Sequence, residues 1–153
     1  MPDVDFSTID GRFSNEPAPD AINEMLGRDV GEWLQEALQQ ADLEHDFIGE
    51  VIAEDYGYGF WLNIDEVPYW VMMTQLYPAS PPDEPQPRWL ISVEARLGCV
   101  WFFRKPPKPV HIPEIMRVIH QALVDDDAIS DVQWWTRSYG TGEPLPTPPS
   151  TRS

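Results

Sequence analysis

The sequence predicts an α+β fold, an antiparallel sheet of about five to six strands with two helices packed on one face. Three observations predict it. Two stretches, 30–41 and 113–123, carry apolar residues at the spacing of one helix face. Between them, several runs alternate apolar and polar residues with a period of two. The links between those runs are too short for the crossovers that parallel strands need, so successive strands must pair as hairpins.

Residues 1–19 mix acids, Gly11, Pro17 and Pro19 around Val4, Phe6, Ile9 and Phe13, which reads as an irregular arm able to add a strand. The folded domain is then 20–138. In the first helical stretch Gly27 and Gly31 each weaken a helix interior by ~1 kcal/mol, whereas Asp29 followed by Glu32 marks a helix start. The helix is therefore 30–41, with a separate turn over 20–27. Strands follow at 47–53 and 58–64, joined by a Glu54-Asp55-Tyr56-Gly57 turn. The run 69–77 is apolar at both parities, as expected of a central strand covered on both faces. Five prolines in 78–87 exclude a ladder there and predict a stiff, exposed excursion. Trp89, Ile91, Val93 and Ala95 then alternate with polar neighbours, and Leu97-Gly98 permits a hairpin into a strand at 99–103. Pro113 suits a first helical turn, the acids 125–127 stop that helix, and Val132, Trp134 and Thr136 predict a last strand. Residues 139–153 hold four prolines and little apolar surface, which predicts a disordered tail.

At 153 residues the chain suits one domain able to bury roughly 68–70% of its unfolded surface. Cys99 is the lone cysteine, so no intrachain disulfide forms and a reducing, cytoplasmic setting is expected. The first residues have neither a basic start nor an apolar run, so no secretory signal is expected, and no apolar stretch approaches a spanning length. The formal charge is −16, and it is lopsided: residues 1–66 hold 17 of the 26 acids against only Arg12 and Arg28. From residue 67 onward nine acids face eight bases. Solubility alone needs a magnitude of ~2–8, so the excess points to an electrostatic surface for a basic protein partner. The same charge repels phosphate backbones and anionic lipid, which leaves neither direct nucleic-acid binding nor membrane binding expected.

Glu54 and Asp55 beside Tyr56 and Tyr58 could divide acid and base work, yet adjacent strand residues face opposite ways and the plain reading is a turn or binding loop. His45, His111, His120 and Cys99 show no short ligand spacing, so no metal or other cofactor is expected. Cys99 sits in an apolar run that predicts burial, and no phosphate-cradling or nucleophile-elbow string occurs. No catalytic residue is assigned and no enzyme is expected. Seven tryptophans are present, and core packing is their default. Trp134 and Trp135 must nevertheless point to opposite faces, and Trp61 shares the parity of Asn63 and Asp65, so some indoles sit away from the main core.

Three strings, Asp29-Val30-Gly31-Glu32-Trp33-Leu34, Ala53-Glu54-Asp55-Tyr56-Gly57-Tyr58 and Ile129-Ser130-Asp131-Val132-Gln133-Trp134, resemble small bacterial proteins that are similar to immunity proteins of toxin systems. The resemblance spans roughly 28–136, with Tyr56 standing where Trp is expected. It implies a protein that plugs or masks a toxin domain. Combined with the charge reading, it predicts a noncatalytic inhibitor whose partner-binding residues are Glu32, Glu36, Glu50, Glu54, Asp55, Asp65 and Glu66, with Tyr56, Tyr58 and Trp61 as anchors. Two alternatives stand beside it. An acidic nucleic-acid mimic, such as a phage anti-defence protein, would present carboxylates as phosphates, whereas a chaperone or adaptor would hold a peptide on its aromatic sheet face.

Overall fold

In a computed structural model, which describes residues 2–9, 11–76, 87–98, 107–136 and 143–149, the chain folds as β1 (Asp3–Thr8), α1 (Arg28–Gln40), β2 (Phe47–Ile48), β3 (Ile52–Glu54), β4 (Gly57–Ile64), β5 (Val67–Leu76), β6 (Arg88–Ala95), α2 (Ile112–Asp125) and β7 (Ile129–Trp135). The seven strands form one antiparallel sheet in the order β2-β4-β5-β6-β1-β7, with β3 lying beyond β2 along the same side of β4. The architecture is α+β. No described helix is long and apolar enough to cross a membrane.

Period-two alternation sorts the side chains. Tyr58, Phe60, Leu62 and Ile64 of β4, Tyr69, Val71 and Met73 of β5, and Trp89, Ile91 and Val93 of β6 all enter one core. Val30, Leu34 and Leu38 of α1 cover the β4–β5 side of that face, and Ile115, Met116, Ile119 and Leu123 of α2 cover the β6–β7 side. Gly31 has a structural reason: a Cβ there would lie 2.9 Å from Val51 Cγ1 and 3.1 Å from Met73 Sδ, so the bare Cα lets α1 approach the sheet. Asp65 and Glu66 both have positive φ, the geometry of a two-residue hairpin turn that closes β4 onto β5.

The structure departs from the sequence reading in four places. The arm expected at 1–19 contributes an interior strand: β1 lies between β6 and β7, and all six of its residues are buried. The strand expected at 47–53 is broken into β2 and β3 by residues 49–51. Part of the tail expected to be disordered returns to the sheet, where Leu145 and Trp134 exchange backbone hydrogen bonds of 2.7 and 2.8 Å. Pro144 and Pro146 have no amide protons, which limits that pairing to one residue. Finally, α1 begins at Arg28, two residues before the expected start. The excursion at 78–86 and the strand expected at 99–103 lie outside the described residues.

Inserting β1 turns Val4, Phe6 and Thr8 toward the helices and Asp3, Asp5 and Ser7 toward the opposite face. Asp5 is only 1% exposed, yet its carboxylate accepts from the Arg88 guanidinium and, at 2.8 Å, from Trp135 Nε1–H. Arg88 also reaches Asp131 at 2.9 Å and Ser7 Oγ at 2.9 Å, while Ser92 Oγ donates to Asp3 at 2.6 Å. A buried carboxylate without such partners would cost several kcal/mol, so β1 can occupy the interior only because β6 supplies a cation. Replacing Arg88 by Met should lower unfolding free energy by about 3 kcal/mol in urea titration, and an unchanged midpoint would contradict the assignment.

On the helix face, the buried Trp134 donates its indole N–H to His120 Nδ1 at 3.1 Å, which requires a neutral imidazole. Burial lowers the His120 pKa. A lowered folded-state pKa means the unfolded chain takes up the proton first, so this contribution is complete above about pH 6.5 and is lost as pH falls further. Wild type should therefore lose stability relative to His120→Gln between pH 7.5 and 5. Parallel urea-midpoint curves for the two proteins would exclude it.

Candidate functional site: an acidic sheet edge beside an aromatic face

Short strands build the outer edge of the sheet. β2 and β3 pair with the two halves of β4, and between them Gly49 N–H donates to Trp61 O at 2.8 Å while Gln35 of α1 donates its side-chain amide to Gly49 O at 2.6 Å. Phe47 lies opposite Asn63 and Ile52 opposite Gly59, which puts both on the sheet face away from the helices. They are 55% and 44% exposed, although apolar. Their partners are four residue steps apart on β4, so the two side chains stand roughly 13 Å apart. Asp46, Glu50, Glu54 and Asp55 flank them, and none of these four carboxylates has an ion pair with Lys or Arg among the described residues. Short, charged, interrupted edges resist sheet-to-sheet pairing, so this edge presents side chains in preference to an open ladder.

Behind the edge lies a locked aromatic pair. Trp61 faces Trp70 across β4 and β5, with ring centroids 4.8 Å apart and planes tilted by 57°. The Trp70 indole lies on Gly59, where a Cβ would fall 2.3 Å from Cζ2. Its N–H donates to Tyr56 Oη at 2.8 Å, and Thr74 Oγ1 donates to Tyr56 O at 2.5 Å, which ties the β3–β4 turn to β5. Burial raises the Tyr56 pKa, the Trp70 hydrogen bond opposes that rise, and the nearby charges of Glu54, Arg96 and Asp55 act on it in turn. Arg96 follows β6, is ion-paired with Glu94, and sets its guanidinium 5.4 Å from the Trp70 centroid and 5.9 Å from that of Trp61.

The residues expected to form one surface divide four ways. Glu50, Glu54, Asp55, Tyr56 and Trp61 do converge on this edge and its adjoining face. Glu36 stands on the outward side of α1 next to Gln35, whereas Glu32 is already compensated by Arg28 at 3.0 Å. Tyr58 must be withdrawn as an anchor: it faces the helices, is fully buried, and donates to Asp20 Oδ1 at 3.2 Å. Its parity places it with Phe60 and Leu62 in the core. Asp65 and Glu66 follow the far end of β4, which lies seven residue steps or roughly 23 Å from Gly57, and Glu66 N–H donates to Asp46 there at 3.4 Å. There Asp65 accepts from His111 Nε2 at 2.8 Å and borders a cleft of about 580 Å³ lined also by Asp42, Glu44, His45, Asp46 and Glu114. No group of three or more His, Cys, Asp or Glu among the described residues is arranged to hold a metal ion.

Sequence reading missed Phe47, Ile52, Trp70 and Arg96. A usable signal existed for Trp70, because hairpin register places it opposite Trp61, but the apolar residues on both parities of that strand hid which face it occupied. Set beside known protein families, curated proteins and solved structures, the chain matches none. What the arrangement can do chemically is attract cations and bury apolar contacts next to them. Gly59→Ala should expel the Trp70 indole and break its bond to Tyr56, red-shifting tryptophan emission; an unchanged spectrum would contradict this packing.

Proposed function

We propose that this chain is a noncatalytic, immunity-type inhibitor that binds and masks a basic effector or toxin protein through the β2–β3 edge. One observation carries the reading: Asp46, Glu50, Glu54 and Asp55, without an ion pair to Lys or Arg among the described residues, stand around two exposed apolar side chains, Phe47 and Ile52. Unpaired like charges on one strip repel each other and cost stability, which a cationic partner would relieve on binding. The exposed apolar residues and the half-buried Trp61 supply contact area of the kind that dominates interface energetics. Charge governs how fast such a partner arrives, and the apolar centre governs how long it stays.

The test is capture from the source cell at low salt with identification of the retained protein, repeated with Glu50, Glu54 and Asp55 all changed to Lys. Wild type should retain a basic protein whose association slows steeply with added salt, and the reversed chain should bind it about tenfold or more slowly. Equal capture by both chains would remove this reading and leave the aromatic face as a charge-independent peptide site.

A further inference from the structure

Resting on that reading, we propose that the Trp61–Trp70 pair is the receptor for an arginine side chain of the basic partner, and that Arg96 holds this place in the free protein. The indole faces are the strongest cation acceptors among the aromatic side chains. This pair is also pre-organised: Trp70 is fixed on one side by Gly59 and at its N–H by Tyr56, and Trp61 is held against it by strand register. A guanidinium already occupies the position, at 5.4 and 5.9 Å from the two centroids, which establishes that the geometry accepts a planar cation.

Arg96 covers the pair, leaving Trp70 only 2% exposed, and its backbone is fixed to Pro68 O at 2.9 Å, but its side chain is weakly held. Its side chain is 48% exposed, it lies past the end of β6, and its ion pair with Glu94 is a surface contact of the weakly stabilising kind. An incoming arginine competes with it on equal chemical terms and adds what Arg96 lacks, a chain that covers Phe47 and Ile52. Tyr56, whose hydroxyl accepts from the Trp70 indole, directly follows Glu54 and Asp55, neither of which has an ion pair among the described residues, so acidic side chains adjoin the platform. Arginine is favoured over lysine because its flat, weakly hydrated guanidinium stacks on an indole, whereas an ammonium keeps its water.

Hexa-arginine and hexa-lysine, titrated against the full chain by calorimetry at low salt, separate stacking from charge. Wild type should bind hexa-arginine more tightly. Trp61→Leu, which keeps apolar bulk, should reduce the arginine-to-lysine affinity ratio by about two- to fivefold, hexa-arginine losing more affinity than hexa-lysine. Arg96→Gln, a change at an exposed residue, should raise that ratio by vacating the platform. A wild-type ratio retained in Trp61→Leu, or a ratio unmoved by Arg96→Gln, overturns the proposal while the acidic-edge reading stands. Failure of both peptides to bind wild type overturns the acidic-edge reading and the arginine receptor with it.

Discussion

Both helices lie on the same face of the sheet, and everything on the other face must satisfy itself without a helical layer. Among the described residues it does so in two blocks. Toward β7, the buried carboxylates of Asp3 and Asp5 are met by Ser92, Arg88 and Trp135, so charge and hydrogen bonding hold that half together. Toward β2 and β3, Trp61, Trp70 and Arg96 stack in place of a second core. The first block lets the N-terminal strand enter the interior of the sheet. The second leaves aromatic surface beside an acidic edge, and the functional reading grows from that second block.

The two blocks also explain why a chain carrying −16 remains folded. Among the described residues, bases meet particular acids: Arg88 serves Asp5 inside the sheet, Arg12 serves Asp126, and Arg28 serves Asp20 and Glu32 at the surface. Among the described residues the outer edge receives none. Repulsion among its carboxylates is tolerable because they are mostly exposed and water screens them, and it persists as a field directed at whatever approaches. The acids at the opposite end of β4 adjoin only the Asp46 end of the edge, where Asp46 accepts from Glu66 N–H at 3.4 Å and Asp65 is engaged with His111.

Much of this was legible in the chain. Alternation in 57–64 and 88–95, the helical stripes ending in Leu38 and Leu123, and the turn at Asp55-Tyr56 depend on local period and turn chemistry, and they appear where those rules put them. β1 was not legible as an interior strand, because Asp3 and Asp5 read as solvent-facing until Arg88, distant in sequence, is known to lie beside them. Leu145 was hidden for a related reason: a single pairing residue between prolines leaves no periodic trace. The candidate surface was half legible. Glu50, Glu54, Asp55, Tyr56 and Trp61 are close in sequence and stay close in space, but the length of β4, invisible in a list of charges, puts Asp65 and Glu66 at the Asp46 end, away from Glu54 and Asp55. Tyr58 was misplaced by weighing its residue type above its parity.

The central claim is positional: cations should gather on the β2–β3 edge and not elsewhere on this acidic molecule. Amide chemical-shift mapping of the full isotope-labelled chain during titration with hexa-lysine tests that location directly. The account requires the largest shifts within residues 46–56 and at Trp61, diminishing with added salt. Shifts centred instead on the cleft formed by Asp42, Glu44, Asp65 and Glu114, or spread evenly over every exposed carboxylate, would contradict it.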